Sequence, residues 1–253
     1  MNVLEIDDLR VRYGDVEAVR GIDLRVAAGE VFGLLGPNGA GKTTTLSVIE
    51  GLCPPAGGRV TVGGIDVARW PRQARARTGA QLQTTSFQSE LSLLELLQLY
   101  AALYGVHLDK AQARSTLAEF DLSNVATRRV GTLSGGQRQR FALAVTLVHE
   151  PDLVLLDEPT AGLDPQSRRS LWGRIEALRE KQRAVVLTTH SMEEAAALCD
   201  RIGILDHGRL VACGTPDELV ARGHDDETIH ALARGPVTLE DVFIGLTGPR
   251  GDA

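Results

Sequence analysis

The sequence is short of several things, and each shortage excludes a class of protein. It holds three cysteines, Cys53, Cys199 and Cys213, with no close pair and no CxxC. An odd, scattered set argues against a disulfide framework or a zinc site and reads as reduced thiols in a cytosolic protein. Positive charge is not in excess: 33 acids outnumber 27 bases, for a net charge of −6. That balance argues against broad nucleic-acid binding, and no nucleic-acid partner is expected. The densest basic stretch, Arg69 to Arg77 with four arginines, reads as a solvated face. Long apolar runs are missing too. The strongest, such as Phe141–Val148, fall far short of the roughly 18 residues a membrane span needs. The opening MNVLEIDDLR carries acids where a signal peptide would be basic and then apolar. These absences predict a protein neither secreted nor membrane-spanning by its own sequence. Finally, lysine is scarce. All but three of the 27 basic residues are arginine, a bias that fits a GC-rich genome. The three lysines that remain, Lys42, Lys110 and Lys181, are therefore informative.

What is present suits a globular chain. At 253 residues, with 43% apolar and 24% charged residues, one large domain or two small ones can bury a sizeable core. Short β-like runs alternate with helical patterns. Strands are predicted at Val3–Leu9, Ile22–Val26, Val31–Leu35, Leu153–Leu156, Ala184–Thr188 and Arg201–Leu205. Leu153–Leu156 is apolar throughout, as expected of a central parallel strand covered on both faces. The early strands alternate, which predicts an antiparallel, half-exposed sheet. Ser191 with Glu194 and Thr215 with Glu218 fit the capping box, the second with proline at the first helical position. Gln166–Gln182 places Leu171, Trp172, Ile175 and Leu178 on one helical face. Residues 85–150 read as mostly helical, with Leu91, Leu93, Leu94, Leu96, Leu97, Leu99 and Leu103 crowded together, an insertion in an α/β core. The tail beyond Gly223 is acidic at first and then forms a short helix at Thr238–Leu246.

One segment carries chemistry outright. Gly36-Pro37-Asn38-Gly39-Ala40-Gly41-Lys42-Thr43, followed by Thr44, matches GxxxxGK[ST] between a predicted strand and a helical stretch. Random residues of this composition would produce about 0.004 such matches. Glycines let backbone N–H groups curl around a phosphate, and the helix presents its positive end to the same anion. Lys42 would reach the terminal phosphates and the Thr43 hydroxyl would coordinate Mg²⁺. Further along, four apolar residues run into Asp157 and Glu158. A buried strand ending in a carboxylate puts Asp157 beside the phosphate loop to hold Mg²⁺, and leaves Glu158 to orient or deprotonate an attacking water. Leu133-Ser134-Gly135-Gly136-Gln137 opens a helix. Ser134 and Gln137 suit a capping box, yet paired glycines cost roughly 1 kcal/mol each against alanine. Close approach to a ligand at a second helix N-terminus explains them.

With these residues in order, the chain resembles the ABC (ATP-binding cassette) ATPases from end to end. Leu133–Gln137 matches their signature, Gly79–Gln83 their Q-loop, Ala161–Asp164 their D-loop and Thr188–His190 their switch histidine. Tyr13 matches the aromatic that stacks on adenine. The resemblance implies an α/β fold: a P-loop NTPase (RecA-like) core with an antiparallel β subdomain and an inserted α-helical subdomain. Core and β subdomain would occupy 1–84 and 151–215, the helical subdomain 85–150 and a helical tail 216–253. It implies ATP and Mg²⁺ as cofactors, Glu158 as general base, His190 as sensor of the γ-phosphate and Gln83 near the metal. It also implies a head-to-tail dimer in which Ser134–Gln137 of one subunit cover ATP on the other, with Asp164 at the dimer contact. Ala161 departs from the serine commonest at the start of the D-loop.

With no span of its own, a transporter subunit of this kind needs an integral-membrane permease, and would sit peripherally on the inner face of the membrane. The leucine-rich insertion is the natural docking surface. The tail Thr238-Leu-Glu-Asp-Val-Phe243 and the run from Val130 to Pro165 resemble ATPases of ABC-2-type exporters, including daunorubicin-resistance pumps. An importer ATPase, or a soluble relative acting on DNA or the ribosome, are the alternatives. The larger C-terminal domain usual in sugar importers is absent, as are coiled-coil arms, zinc cysteines and a second cassette. A GTPase is disfavoured because no NKxD motif occurs in the sequence.

Overall fold

The computed structural model describes residues 1–81 and 87–248. Gln83 lies outside the described residues.

The N-terminal half-exposed sheet is antiparallel, as the alternation predicts. It contains β1 (Asn2–Tyr13), β2 (Val16–Ala27), β4 (Gly57–Val62) and β5 (Ile65–Asp66), in the order β2-β1-β4-β5. β1 runs four residues beyond the predicted end at Leu9 because a bulge carries it on. Asp8 takes a left-handed φ of 43°, its N–H bonds to Asp23, and the register skips between Ile6 and Leu9. The extra residue puts Leu9 and Val11 on the same buried face as Leu4 and Ile6.

The second sheet holds β3 (Val31–Leu35), β6 (Thr78–Gln81), β7 (Leu153–Asp157), β8 (Ala184–Thr189), β9 (Arg201–Asp206) and β10 (Arg209–Gly214). Its order is β10-β9-β3-β8-β7-β6, parallel throughout except for β10 against β9. Every residue of β3, β7 and β8 is buried. Phe32, Leu34, Leu153 and Leu155 face a core shared with the antiparallel sheet, whereas Val31, Leu35, Val154 and Leu156 face a core shared with the helices. Burial on both faces is why these strands read as continuous apolar runs. β6 and β10, more polar at the sheet edges, were not predicted as strands.

The helices are α1 (Lys42–Ile49), α2 (Pro71–Ala76), α3 (Leu93–Leu103), α4 (Lys110–Glu119), α5 (Gly135–Thr146), α6 (Pro165–Glu180), α7 (Met192–Leu198), α8 (Pro216–Asp225), α9 (Glu227–Leu232) and α10 (Leu239–Thr247). Full capping boxes start α3 at Ser92, α4 at Asp109, α8 at Thr215 and α10 at Thr238. The predicted box at α7 forms only half. Ser191 accepts from the N–H of Glu194, but the Glu194 carboxylate goes elsewhere, to Trp172. In α3 the crowded leucines divide: Leu93, Leu94, Leu96 and Leu97 are buried and Leu99 and Leu103 exposed. Three helices, α8 to α10, pack together in the tail, where the sequence suggested a helix start at Thr215 and a short helix at Thr238–Leu246. Gly223 and Gly245 allow this, since a Cβ on either would collide with Val242 or Ile229. Among the described residues, no helix is long and apolar enough to cross a membrane.

Candidate active site

The site lies at the carboxyl ends of the central strands, where open α/β sheets present their crevice. β8 separates β3 from β7, and Thr188 is level with Leu34 on one side and Asp157 on the other. The phosphate loop leaving β3 and the acid pair ending β7 are therefore brought to the same edge.

The loop is shaped by glycines at two close approaches. Gly41, at φ 106°, has no room for a Cβ, which would stand 2.7 Å from the Ala18 carbonyl oxygen. At Gly36 a Cβ would stand 2.5 Å from the Leu205 carbonyl oxygen. Gly41 is also the N-cap of α1, so no side chain caps this helix. The first-turn N–H groups that a serine or aspartate would satisfy are left for an anion. Lys42 is buried, and its ammonium donates to the carbonyl oxygens of Gly36 at 2.6 Å and Pro37 at 3.1 Å. Burial lowers its pKa, partly offset by the nearby Glu158 and Asp157 carboxylates.

Facing Lys42, Asp157 is buried and accepts a 2.5 Å hydrogen bond from the Thr188 hydroxyl. The same hydroxyl accepts from the N–H of Glu158 at 3.0 Å. Thr188 thus holds both acids in place, a role not singled out by sequence reasoning; the signal available was a pair of threonines closing an otherwise apolar buried strand. Glu158 adopts a left-handed φ of 49°, costly for a residue with a Cβ. Its N–H also bonds to the Thr188 carbonyl oxygen at 3.1 Å, which fixes the turn. His190, 71% exposed just past the end of β8, places Nδ1 3.5 Å from the Glu158 carboxylate.

Asn38, Gly39, Gly41, Lys42, Thr43, Thr44, Asp157 and Glu158 wall one cavity of about 200 Å³, closed on a further side by Ala18 of β2. Six of these come from the phosphate loop and α1, two from the end of β7, so the structure joins segments more than a hundred residues apart. A Mg²⁺ ion suits the donors present: the Thr43 hydroxyl and the Asp157 carboxylate face one cavity, with room for water and phosphate oxygens. Among the described residues, no group of three or more His, Cys, Asp or Glu forms a cage for a metal, as expected for a cation held largely by substrate phosphates.

Residues 19–161 match the pattern of the ABC transporter family. The chain belongs to that family. It is 40% identical over 242 residues to the Nod factor export ATP-binding protein I of Paraburkholderia xenovorans, covering 94% of this chain and 79% of that protein. To the daunorubicin resistance ATP-binding protein DrrA3 of Streptomyces coeruleorubidus it is 43% identical over 248 residues, covering 97% of this chain and 78% of the relative. Among solved structures, it superposes with a TM-score of 0.75 on a dimeric ATP-binding cassette in a post-hydrolysis state with ADP and phosphate. That match has 25% identity and covers 84% of this chain and 98% of the other.

Other residues singled out in this ABC ATPase sequence fall apart from the cavity. Tyr13 is 52% exposed at the end of β1, its hydroxyl 3.5 Å from the Cys53 sulfur, and Thr44 lies close enough to hydrogen-bond it. None of Leu133–Gln137 lines the cavity walls. Ser134 and Gln137 form a reciprocal capping box at the start of α5, which satisfies the N–H groups of those two residues. The paired glycines separate in role. Gly135 is exposed with open space where a Cβ would stand, whereas a Cβ on Gly136 would meet the Ser167 hydroxyl at 2.4 Å. Gly136 therefore sits in close packing against α6, which admits no Cβ there. Asp164 caps α6 by accepting from the N–H groups of Gln166 and Ser167. A hydrogen bond from the Ser167 side chain, followed by those N–H bonds, holds its carboxyl below the ordinary range.

Proposed function

We propose that this ABC ATPase drives export through a separate membrane permease by closing, as a head-to-tail pair, over two ATP molecules. The observation that carries it is one cavity holding an uncapped helix start, a buried lysine and two carboxylates at fixed distances. The N–H groups of the loop and Lys42 bind the phosphates. Lys42 reaches them by exchanging its present contacts with Gly36 and Pro37 for phosphate oxygens. Thr43 and Asp157 would hold Mg²⁺, which would supply positive charge against the phosphates. Glu158, fixed by Thr188, accepts the proton of the attacking water. His190, within reach of Glu158, contacts the γ-phosphate and registers its presence. Tyr13 stacks on adenine, and Gln83, outside the described residues, would serve the metal as the Q-loop glutamine of the family.

The second half of each site comes from a partner copy. Because Ser134–Gln137 cap their own helix away from the phosphate loop, they are free to cover a nucleotide on another subunit, with Asp164 at the contact. The dimeric assembly of the solved cassette supports this arrangement. Export is the direction favoured by relatives that serve Nod factor export and daunorubicin resistance. The permease docks on the outward side of α3, where Leu99 and Leu103 stand exposed together with Tyr104 next to the helix, and holds the chain at the inner face of the membrane.

The deciding experiment is Glu158→Gln. Turnover should fall by two orders of magnitude or more while ATP binding persists and an ATP-dependent dimer accumulates on size-exclusion chromatography. Wild-type turnover in this variant would exclude Glu158 as general base.

A further inference from the structure

The half-formed cap of α7 leads to a residue that the proposed chemistry does not use. Glu194 is completely buried. Its N–H bonds to the Ser191 hydroxyl at 3.2 Å. Its carboxylate does not return to the Ser191 N–H as a capping box requires; one oxygen accepts from the Trp172 indole N–H at 3.1 Å. The other oxygen is sealed from solvent and has no hydrogen-bond partner. A buried carboxylate with one neutral donor is a costly way to join two helices, and an apolar pair of like volume would hold them more firmly. Stability alone therefore does not account for this contact.

Its position does. Trp172 lies in α6, the helix that starts at the Asp164 cap as the D-loop ends. Glu194 lies in α7, the helix whose N-cap, Ser191, directly follows His190. The His190 backbone is itself pinned on both sides, since the Ser191 N–H bonds to the Thr189 hydroxyl at 3.0 Å and Ser191 caps α7. The Trp172–Glu194 bond is thus the strut between the element leaving the D-loop and the element leaving the histidine. Arg168 reinforces it, with its guanidinium carbon 5.6 Å from the Trp172 ring centroid and an ion pair to Glu193 at 3.3 Å. Glu194 and Arg168 share a cavity of about 170 Å³ with Glu158, Ala161, Leu163 and His190. The strut therefore forms a wall of the space directly behind the proposed general base.

We propose that Glu194 is a positioning residue: through Trp172 it sets the D-loop helix against the switch-histidine helix and so fixes His190 relative to Glu158. The proposal rests on the catalytic reading of Glu158 and His190 given above. Steady-state ATPase assays on the full chain test it, with kcat and KM separated. Glu194→Gln keeps an acceptor oxygen for Trp172 and should retain kcat within about threefold. Glu194→Leu removes the acceptor but fills the space; kcat should fall at least tenfold, KM for ATP should stay within threefold, and Tm should not fall. Trp172→Phe, which removes only the donor, should change kcat in the same direction, and the double variant should be no worse than the more severe single one. Wild-type kcat in Glu194→Leu overturns the proposal; if that variant fails to fold, wild-type kcat in Trp172→Phe overturns it instead. A kcat lowered equally in Glu194→Gln and Glu194→Leu also overturns it, because charge and not the Trp172 contact would then be responsible. Failure of the general-base reading is seen separately, as normal turnover in Glu158→Gln.

Discussion

Two helix starts in this chain are both built from glycine, yet they end in opposite states. At α1 the N-cap is Gly41, no side chain closes the helix, and a buried lysine sits in the first turn. At α5 the N-cap is Ser134, and Gln137 returns its bond, so side chains close part of the first turn. The first is a candidate binding site with no side-chain cap, where the Lys42 ammonium rests on the carbonyl oxygens of Gly36 and Pro37. The second is part-closed by its own side chains, with Gly135 exposed beside them. A glycine pair before a helix therefore does not by itself announce a ligand; what matters is whether a side chain already occupies the donors.

The contrast can be broken most severely at α1. Lys42→Ala should abolish ATP binding in equilibrium dialysis, and Lys42→Arg should lower affinity at least tenfold, because a rigid planar fork does not replace a compact ammonium inside a closed loop. Retained affinity in both would remove the lysine from the site. At α5, Ser134→Arg should leave ATP binding intact and cut turnover at least tenfold. In mixed dimers with a subunit carrying Lys42→Ala, the surviving phosphate loop should lose activity only when Ser134→Arg is on the opposite subunit. Loss confined to the mutated subunit's own loop would mean that the signature acts within one chain.

A smaller effect separates the two glycines of α5. Gly136→Ala should destabilise the fold by about 1–3 kcal/mol through overpacking against Ser167, whereas Gly135→Ala should leave Tm unchanged and reduce turnover. Thermal melts and ATPase assays on both variants check this; equal Tm values would mean Ser167 yields freely. The smallest effect lies at the other end of α1. Glu50, buried at its C-cap, has its carboxyl pushed up to about 7 by burial and by the nearby Asp157. A carboxyl whose folded pKa is raised holds its proton more tightly in the folded state. Its favourable contribution is full below about pH 4.5, its ordinary value, and is lost as pH rises through about 7. Glu50→Gln should therefore raise Tm at pH 8 by a few degrees and have little effect at pH 4.5, measured by calorimetry.

Much of the fold was legible because its central strands are buried on both faces, so composition alone marks β3, β7, β8 and β9. The edge strands carry no such run: β10 is largely exposed or half-buried, and β6, though mostly buried, is built of Thr, Gly, Ala and Gln. β1 was cut short at Leu9 because a bulge at Asp8 breaks alternation while preserving the strand. The phosphate loop was fully legible: a chain that writes arginine almost everywhere keeps Lys42 where strand, glycines and helix meet. Lys110 and Lys181, by contrast, lie outside the cavity, on the exposed surface. Thr188 and Glu194 were not legible in their roles. A hydroxyl in a buried strand and an acid in a capping pattern have ordinary local explanations, and their partners are Asp157 and Trp172, distant in sequence.

The sequence by itself determined the chemistry of the phosphate loop, because the loop's conformation depends on glycines and its charge on one lysine, all within a single turn of chain. It also determined the family, since the motifs stand in order. Only the tertiary structure decided which acid is held by Thr188, which glycine serves packing, and where the Glu194 carboxylate points. Those outcomes depend on which strands and helices become neighbours, and hydrogen bonds between neighbours far apart in sequence leave no periodicity along the chain.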